Sequence, residues 1–256
     1  MAAVSVDRLQ PGDHACLTYT DPEERLDLLT AFVSAGRTRN ERVVCFSDRA
    51  EVKALPLWGP GQSPDAKAMV ARLAEEMSAA ERDGNAGLRV ATDMCWAIRP
   101  RAGAEQLLVF ENEVGALFGT GRLTMICEYD RESFDPVTLG YAARVHPRIV
   151  AATVYHEDGR LRICRQHVPP GVRVSGELAA AGAEPLAAAL AEAVRLDPDV
   201  HVNLNRVTAM DPAVAACLIQ VAEALPWGRH MVVTCPTPIG RMLEGVPALK
   251  VISREL

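Results

Sequence analysis

Five short apolar runs separated by stretches of helical period constrain this chain more than any other feature. Residues 15–19, 42–46, 88–91, 123–127 and 149–154 are too short for stable helices and read as strands. Amphipathic segments lie between most of them. In residues 25–36, Leu26, Leu29, Phe32 and Val33 form one apolar stripe, and Gly36 supplies a stop signal. Residues 67–82 and 105–118 carry similar stripes, and another helix begins near Asp135. Strands alternating with helices pack as βαβ units, whose crossovers make the strands parallel. The expected class is therefore α/β. Residues 57–64, punctuated by Gly and Pro, read as an exposed loop. Residues 166–171 break regular structure, so a boundary is placed near 166, giving domains 1–165 and 166–256. The run 161–165 fits either sheet.

The chain has 256 residues, 49% of them hydrophobic, enough for two small buried cores. Its net charge of −6 and lack of a basic stripe disfavour nucleic-acid binding. No apolar run reaches the roughly 18 residues needed to span a bilayer, and no secretory leader pattern is present, so a cytoplasmic, membrane-free protein is expected. Seven cysteines, at 16, 45, 95, 127, 164, 217 and 235, are widely spaced without a C-x-x-C pair. Neither a disulfide framework nor a zinc ribbon is expected, and buried cysteines acting as small hydrophobes are the default.

In the C-terminal third, Val200, Val202 and Leu204 alternate with polar residues as in a half-buried strand. A helix follows: Asp211 can cap it, Pro212 suits its first position, and Val214, Cys217, Leu218, Val221 and Leu225 recur at helical spacing. This strand, turn and helix, with residues 174–178, 231–236 and 239–243 in order around it, resembles the STAS domain of anti-sigma-factor antagonists. The resemblance covers about residues 171–256. It implies a β-sheet with packed helices, a partner that is an anti-sigma factor or another STAS protein, and a contact surface around Asp211, Pro212, Ala213 and Val214. In that family a Ser or Thr just after the Asp is phosphorylated by a partner kinase. Here Pro212 and Ala213 stand at those positions, Val214 replaces the following Gly, and Asn203 replaces an upstream Asp. The usual switch is thus unavailable; Thr208 lies nearby without an assigned role.

In the N-terminal part, residues 12–24, 40–46 and 127–130, with His146 and Pro147, resemble the MEDS sensory domain over about residues 10–155. The resemblance implies a sensor of a small organic molecule on a RecA-like parallel-sheet fold. A phosphate-binding loop is absent. Where it would lie, Asp21 and Glu24 form a capping-box-like pair and Pro22 removes a donor, so acidic groups would repel a triphosphate.

The polar groups within the MEDS-like motifs include His14, Cys16, Tyr19, Cys127, Glu128, Tyr129 and His146. Strand ends in a parallel sheet form the usual ligand crevice, so the ligand-binding candidates are His14, Tyr19, Cys127, Tyr129 and His146, with the two tyrosines forming a wall. Plainer roles compete: His14 bonding a strand edge, Cys16 and Cys127 filling core, His146 ending a helix before Pro147, Asp211 merely capping. A tetrahedral metal site from His14, Cys16, Cys127 and His146 lacks local ligand spacing, so no metal or other cofactor is expected. The leading expectation is a non-catalytic signalling regulator. The alternatives are a non-sensing scaffold and, behind it, an enzyme pairing Cys16 or Cys127 with His14 or His146. Oligomeric state, homo-oligomers included, is left open.

Overall fold

Six parallel strands build the first sheet in the computed structural model, which describes residues 3–47, 64–99 and 103–254. In chain order they are β1 (Ala3–Val4), β2 (His14–Tyr19), β3 (Arg42–Phe46), β4 (Leu88–Asp93), β5 (Leu123–Asp130) and β6 (Arg148–Val150). Their spatial order is β1-β6-β2-β5-β4-β3. Successive strands are linked by α1 (Pro22–Thr38), α2 (Ala66–Arg82), α3 (Gly103–Val114) and α4 (Pro136–Val145). Period-two alternation separates two cores. Ala15, Leu17, Ala91 and Ile126 pack under α1 with Leu28, Leu29 and Phe32. On the other face Cys16, Val90, Met125, Cys127 and Tyr129 meet Met69 and Leu73 of α2, Leu107, Phe110 and Val114 of α3, and Ala142 of α4.

The second sheet has β7 (Val154–Glu157), β8 (Leu161–Gln166), β9 (Gly171–Leu178), β10 (Val200–Met210), β11 (Met231–Pro236) and β12 (Leu249–Arg254), in the order β12-β11-β10-β9-β8-β7. Hairpins make β7, β8 and β9 antiparallel, whereas β9 through β12 are parallel. Leu186 and Leu190 of α5 (Ala183–Leu196), Val214 and Leu218 of α6 (Pro212–Glu223), and Ile239 and Leu243 of α7 (Thr237–Leu243) bury against Val172, Val174, Val202, Leu204 and Val233. The chain divides into compact units Met1–Ala151 and Ala152–Leu256. The division lies upstream of residue 166 because β8 pairs along its whole length with β9, Leu161 opposite Gly176 and Gln166 opposite Gly171. The run 149–154 is accordingly split: β6 ends at Val150 and β7 begins at Val154. Among the described residues no helix is long and apolar enough to cross a membrane. Residues 57–63 of the expected loop lie outside the described residues.

Two details of the helices differ from the apolar pattern. The buried side of α1 is Arg25, Leu28, Leu29, Phe32 and Gly36, while Leu26 remains 40% exposed. The helix is turned to bury Arg25, whose Nε donates to Glu128 at 2.6 Å. The helical pattern over 105–118 ends as α3 at Val114 and continues as a 3₁₀ segment, Gly115–Thr120.

Gly36 does not stop α1, which runs on to Thr38 and is capped at Arg39. It serves close packing: a Cβ there would lie 2.6 Å from Arg89 Cδ and 2.8 Å from Val43 Cγ2. Alanine normally gains about 1 kcal/mol over glycine within a helix. Gly36→Ala is expected to reverse that sign and destabilise the protein by about 1–2 kcal/mol, because the Arg89 stem is itself held in the core. Urea denaturation monitored by circular dichroism checks the sign.

Candidate functional site

Four elements converge on one buried polar cluster. His14 opens β2, and Cys127 and Tyr129, two residues apart, share one face of β5. Glu111 projects from the buried stripe of α3, between Phe110 and Val114, and His146 caps the C-terminal end of α4. Asp135 starts α4 by accepting from the amides of Val137 and Thr138. The extended backbone of His146, set by Pro147, ends it.

His14 Nε2 lies 3.4 Å from Cys127 Sγ and 3.7 Å from Glu111 Oε2. His146 Nε2 lies 3.5 Å from the same Glu111 oxygen. The other carboxylate oxygen, Oε1, accepts from the Tyr129 hydroxyl at 2.5 Å. His146 Nδ1 sits 2.8 Å from the Ala142 carbonyl. A carbonyl only accepts, so Nδ1 carries a proton and His146 turns its Nε2 toward the cluster. The His14 ring stacks on Phe118, centroids 4.6 Å apart, and meets the His146 ring at 4.1 Å. Tyr129 packs edge-on against Phe134.

Burial governs the protonation of the cluster. It pushes His14 down to about 2, with His146 adding to the shift. It raises the Glu111 carboxyl, although His146, Tyr129 and Cys127 pull it back in part. The Cys127 thiol is pushed well above its ordinary value by burial and then by Glu111. Cys127 and His14 are thus in contact, yet each is driven away from the thiolate–imidazolium pair that nucleophilic catalysis requires.

Of the expected ligand-binding residues, the structure brings His14, Cys127, Tyr129 and His146 together. Tyr19 is elsewhere. Thr18, not Tyr19, is opposite Tyr129 in the β2–β5 ladder, so the tyrosines point to opposite faces of the sheet. Tyr19 lies beside Arg25, whose guanidinium carbon is 5.4 Å from its ring centroid. Cys16 faces the same core as Cys127 but is not among the four clustered donor atoms, which come from His14, Glu111, Cys127 and His146. Glu111 is absent from the motif-based expectation. Its signal was a carboxylate on the stripe Leu107, Phe110, Glu111, Val114, at a position a surface helix would fill with an apolar residue. The four donors could hold a metal ion.

The first sheet also has an open cleft of about 300 Å³, lined by residues including Met77, Ala80, Leu88, Leu117 and Arg122. At the β2–α1 junction Asp21 Oδ1 accepts from the Glu23 amide at 2.9 Å and Pro22 opens the helix, so the cap occupies the place of a phosphate loop.

In the second unit Asp211 Oδ1 accepts from the Ala213 amide at 2.8 Å, capping α6. Pro212 and Ala213 are exposed, whereas Val214 is fully buried and cannot meet a partner at the surface. Thr208 lies on β10, its hydroxyl donating to the Gly176 carbonyl at 3.3 Å. Asn203 donates to Gln166 at 3.0 Å.

The Tyr129–Glu111 bond predicts a measurable coupling. Tyr129→Phe leaves a buried carboxylate oxygen without its donor and should cost about 1–3 kcal/mol. In a double-mutant cycle with Glu111→Gln, urea denaturation should give a coupling of about 1 kcal/mol or more, against essentially none for Tyr19→Phe with Glu111→Gln.

No curated protein matches the chain. Two family models do: the methanogen/methylotroph DcmR sensory domain, MEDS, over residues 13–147, and the MlaB STAS domain over residues 162–244. The first covers more than half the chain and includes all four clustered donors. The chain therefore belongs to the MEDS family, with a STAS domain following its sensory domain.

Proposed function

We propose that this protein is a non-catalytic, cytoplasmic signalling regulator. Its MEDS domain senses a small organic molecule, and its STAS domain engages an anti-sigma factor or another STAS protein. A signalling role follows from the two domains together. The observation that carries the finer reading is the start of α6. Strand, capping Asp211 and helix form the contact turn, but its two exposed residues, Pro212 and Ala213, have no hydroxyl to phosphorylate. Partner release by a kinase has no chemical handle there, so control falls to the sensory domain.

The cluster around Glu111 is closed to solvent, so the cleft lined by Met77, Ala80, Leu88 and Leu117 is the better seat for an organic ligand, with Arg122 for a polar end. The 3₁₀ segment Gly115–Thr120 joins the two. Leu117 lines the cleft and the next residue, Phe118, stacks on His14. A ligand that shifts Leu117 would change the packing of His14. It alters output only through a difference in affinity between the two arrangements.

The test is binding of the full chain to an anti-sigma kinase with and without ATP. The wild type should bind equally in both conditions and take up no phosphate. Ala213→Ser should become phosphorylated and release its partner, and Ala213→Arg should weaken binding about 10-fold or more without loss of stability. Phosphorylation of the wild type with ATP-dependent release would refute the reading.

A further inference from the structure

We propose that His14 Nε2, Glu111 Oε2, Cys127 Sγ and His146 Nε2 form a tetrahedral site for a divalent cation of the zinc type. The inference rests on the cluster's geometry and holds whether or not the cleft binds an organic ligand.

Zinc ligands sit about 2.0–2.3 Å from the ion, so the edges of a zinc tetrahedron are about 3.3–3.8 Å long. Three of the six donor separations are 3.4, 3.5 and 3.7 Å, and all four donor atoms lie within 4.8 Å of one another. Those three edges match a zinc tetrahedron.

Hydrogen bonding alone accounts poorly for the arrangement. Glu111 Oε2 and His146 Nε2 are buried and make no hydrogen bond of normal geometry among the described residues. With His146 Nδ1 committed to the Ala142 carbonyl, only its Nε2 is turned toward Glu111. The two atoms face each other across 3.5 Å, beyond a normal hydrogen bond, at a separation where a cation placed between them would engage both. Both of these ligands are also fixed from behind. Tyr129 occupies Glu111 Oε1, and the Ala142 carbonyl holds His146 Nδ1, leaving one donor atom of each pointing inward. Outer partners of this kind, a hydroxyl on the carboxylate and a carbonyl on the imidazole, orient metal ligands and tune their basicity.

Charge selects the ion. A divalent cation with one thiolate, one carboxylate and two neutral imidazoles sums to zero, which a site of this burial can hold. A thiolate with two imidazoles suits zinc and its neighbours over magnesium or calcium, which prefer all-oxygen shells. Four protein donors leave no open position, so the ion would fasten β2, α3, β5 and the end of α4 together without activating water. The ligands lie at positions 14, 111, 127 and 146, each from a different element, and no local spacing motif could announce them.

The test uses tag-free, full-length protein. Elemental analysis after purification should find close to one zinc per chain. After chelation and loading with Co²⁺, the protein should show tetrahedral visible bands and a near-ultraviolet thiolate-to-metal charge-transfer band. Cys127→Ala should abolish the charge-transfer band and weaken Zn²⁺ binding about 100-fold or more. Cys16→Ala, in the same core but outside the site, should keep both. If Cys127→Ala does not fold, Glu111→Gln provides the second readout, with the thiolate band retained and Zn²⁺ affinity reduced about 10-fold or more. The proposal is overturned if folded, chelator-treated wild type takes up neither Zn²⁺ nor Co²⁺ stoichiometrically. It is equally overturned if the thiolate band follows Cys16 instead of Cys127, or if Glu111→Gln binds Zn²⁺ as the wild type does.

Discussion

Strand β5 is covered on both faces, so every polar side chain it carries must find its partner inside the protein. That requirement organises the first unit. Glu128, on one face, takes Arg25 from α1 at 2.6 Å. Its neighbours Cys127 and Tyr129, on the other, take His14 from β2 and Glu111 from α3. Three elements are thereby fixed in phase against a strand that apolar packing alone would hold less specifically. The ion pair is a constraint more than a source of stability. Breaking a buried pair costs about 3–5 kcal/mol, whereas replacing both partners with well-packed apolar residues is often neutral. Its structural consequence is visible in α1, which turns Arg25 inward and leaves Leu26 exposed.

The same requirement explains which parts of the structure the sequence made legible. Alternating apolar runs and helical stripes report burial of apolar groups, and they mark β2 to β5 and β10 among the strands and α1 to α4 and α6 among the helices, but not β1, β12 or α5. They are silent about buried polar groups. The phase of α1 was misread because Arg25 does not register as a core residue, and Glu111 was overlooked for the same reason. Gly36 signals a helix end in sequence but meets the Arg89 stem in space, a long-range contact that composition does not encode. The proposed tyrosine wall failed on parity. His14 and Tyr19 are five residues apart on a strand and must face opposite ways, while Cys127 and Tyr129, two apart, must face together. That much could have been read from the numbering alone.

In the second unit the pattern around β10 and α6 was legible almost entirely, including the cap at Asp211. Val214 shows how a family motif and a helical period can conflict. The motif places position 214 in the contact turn, whereas its spacing with Leu218 and Ala222 puts it in the core, and the core position is observed. The proposed contact surface is therefore narrower than the motif implies. The strand 161–165 could not be assigned from sequence because a short amphipathic hairpin fits the edge of either sheet; only its pairing with β9 decides.

On the proposed reading, the closed state of the His14–Glu111–Cys127–His146 cluster limits how a stimulus could reach it. A buried group can respond only if an element beside it moves, and packed cores change by switching between discrete arrangements rather than by gradual deformation. The elements around the cluster differ in stiffness. β2 and β5 lie within the sheet, hydrogen-bonded to each other, and α3 and α4 pack onto it. The 3₁₀ segment Gly115–Thr120 has poorer hydrogen-bond geometry than an α-helix and is closed by Gly121 in the left-handed region. It is also the segment that places Leu117 in the cleft and Phe118 on the His14 ring. Motion there would alter the stacking of one donor while the other three kept their supports, so a cation holding all four would oppose the shift. An organic ligand in the cleft and a metal ion in the cluster would then act on one equilibrium, and each would change the apparent affinity of the other by the same factor.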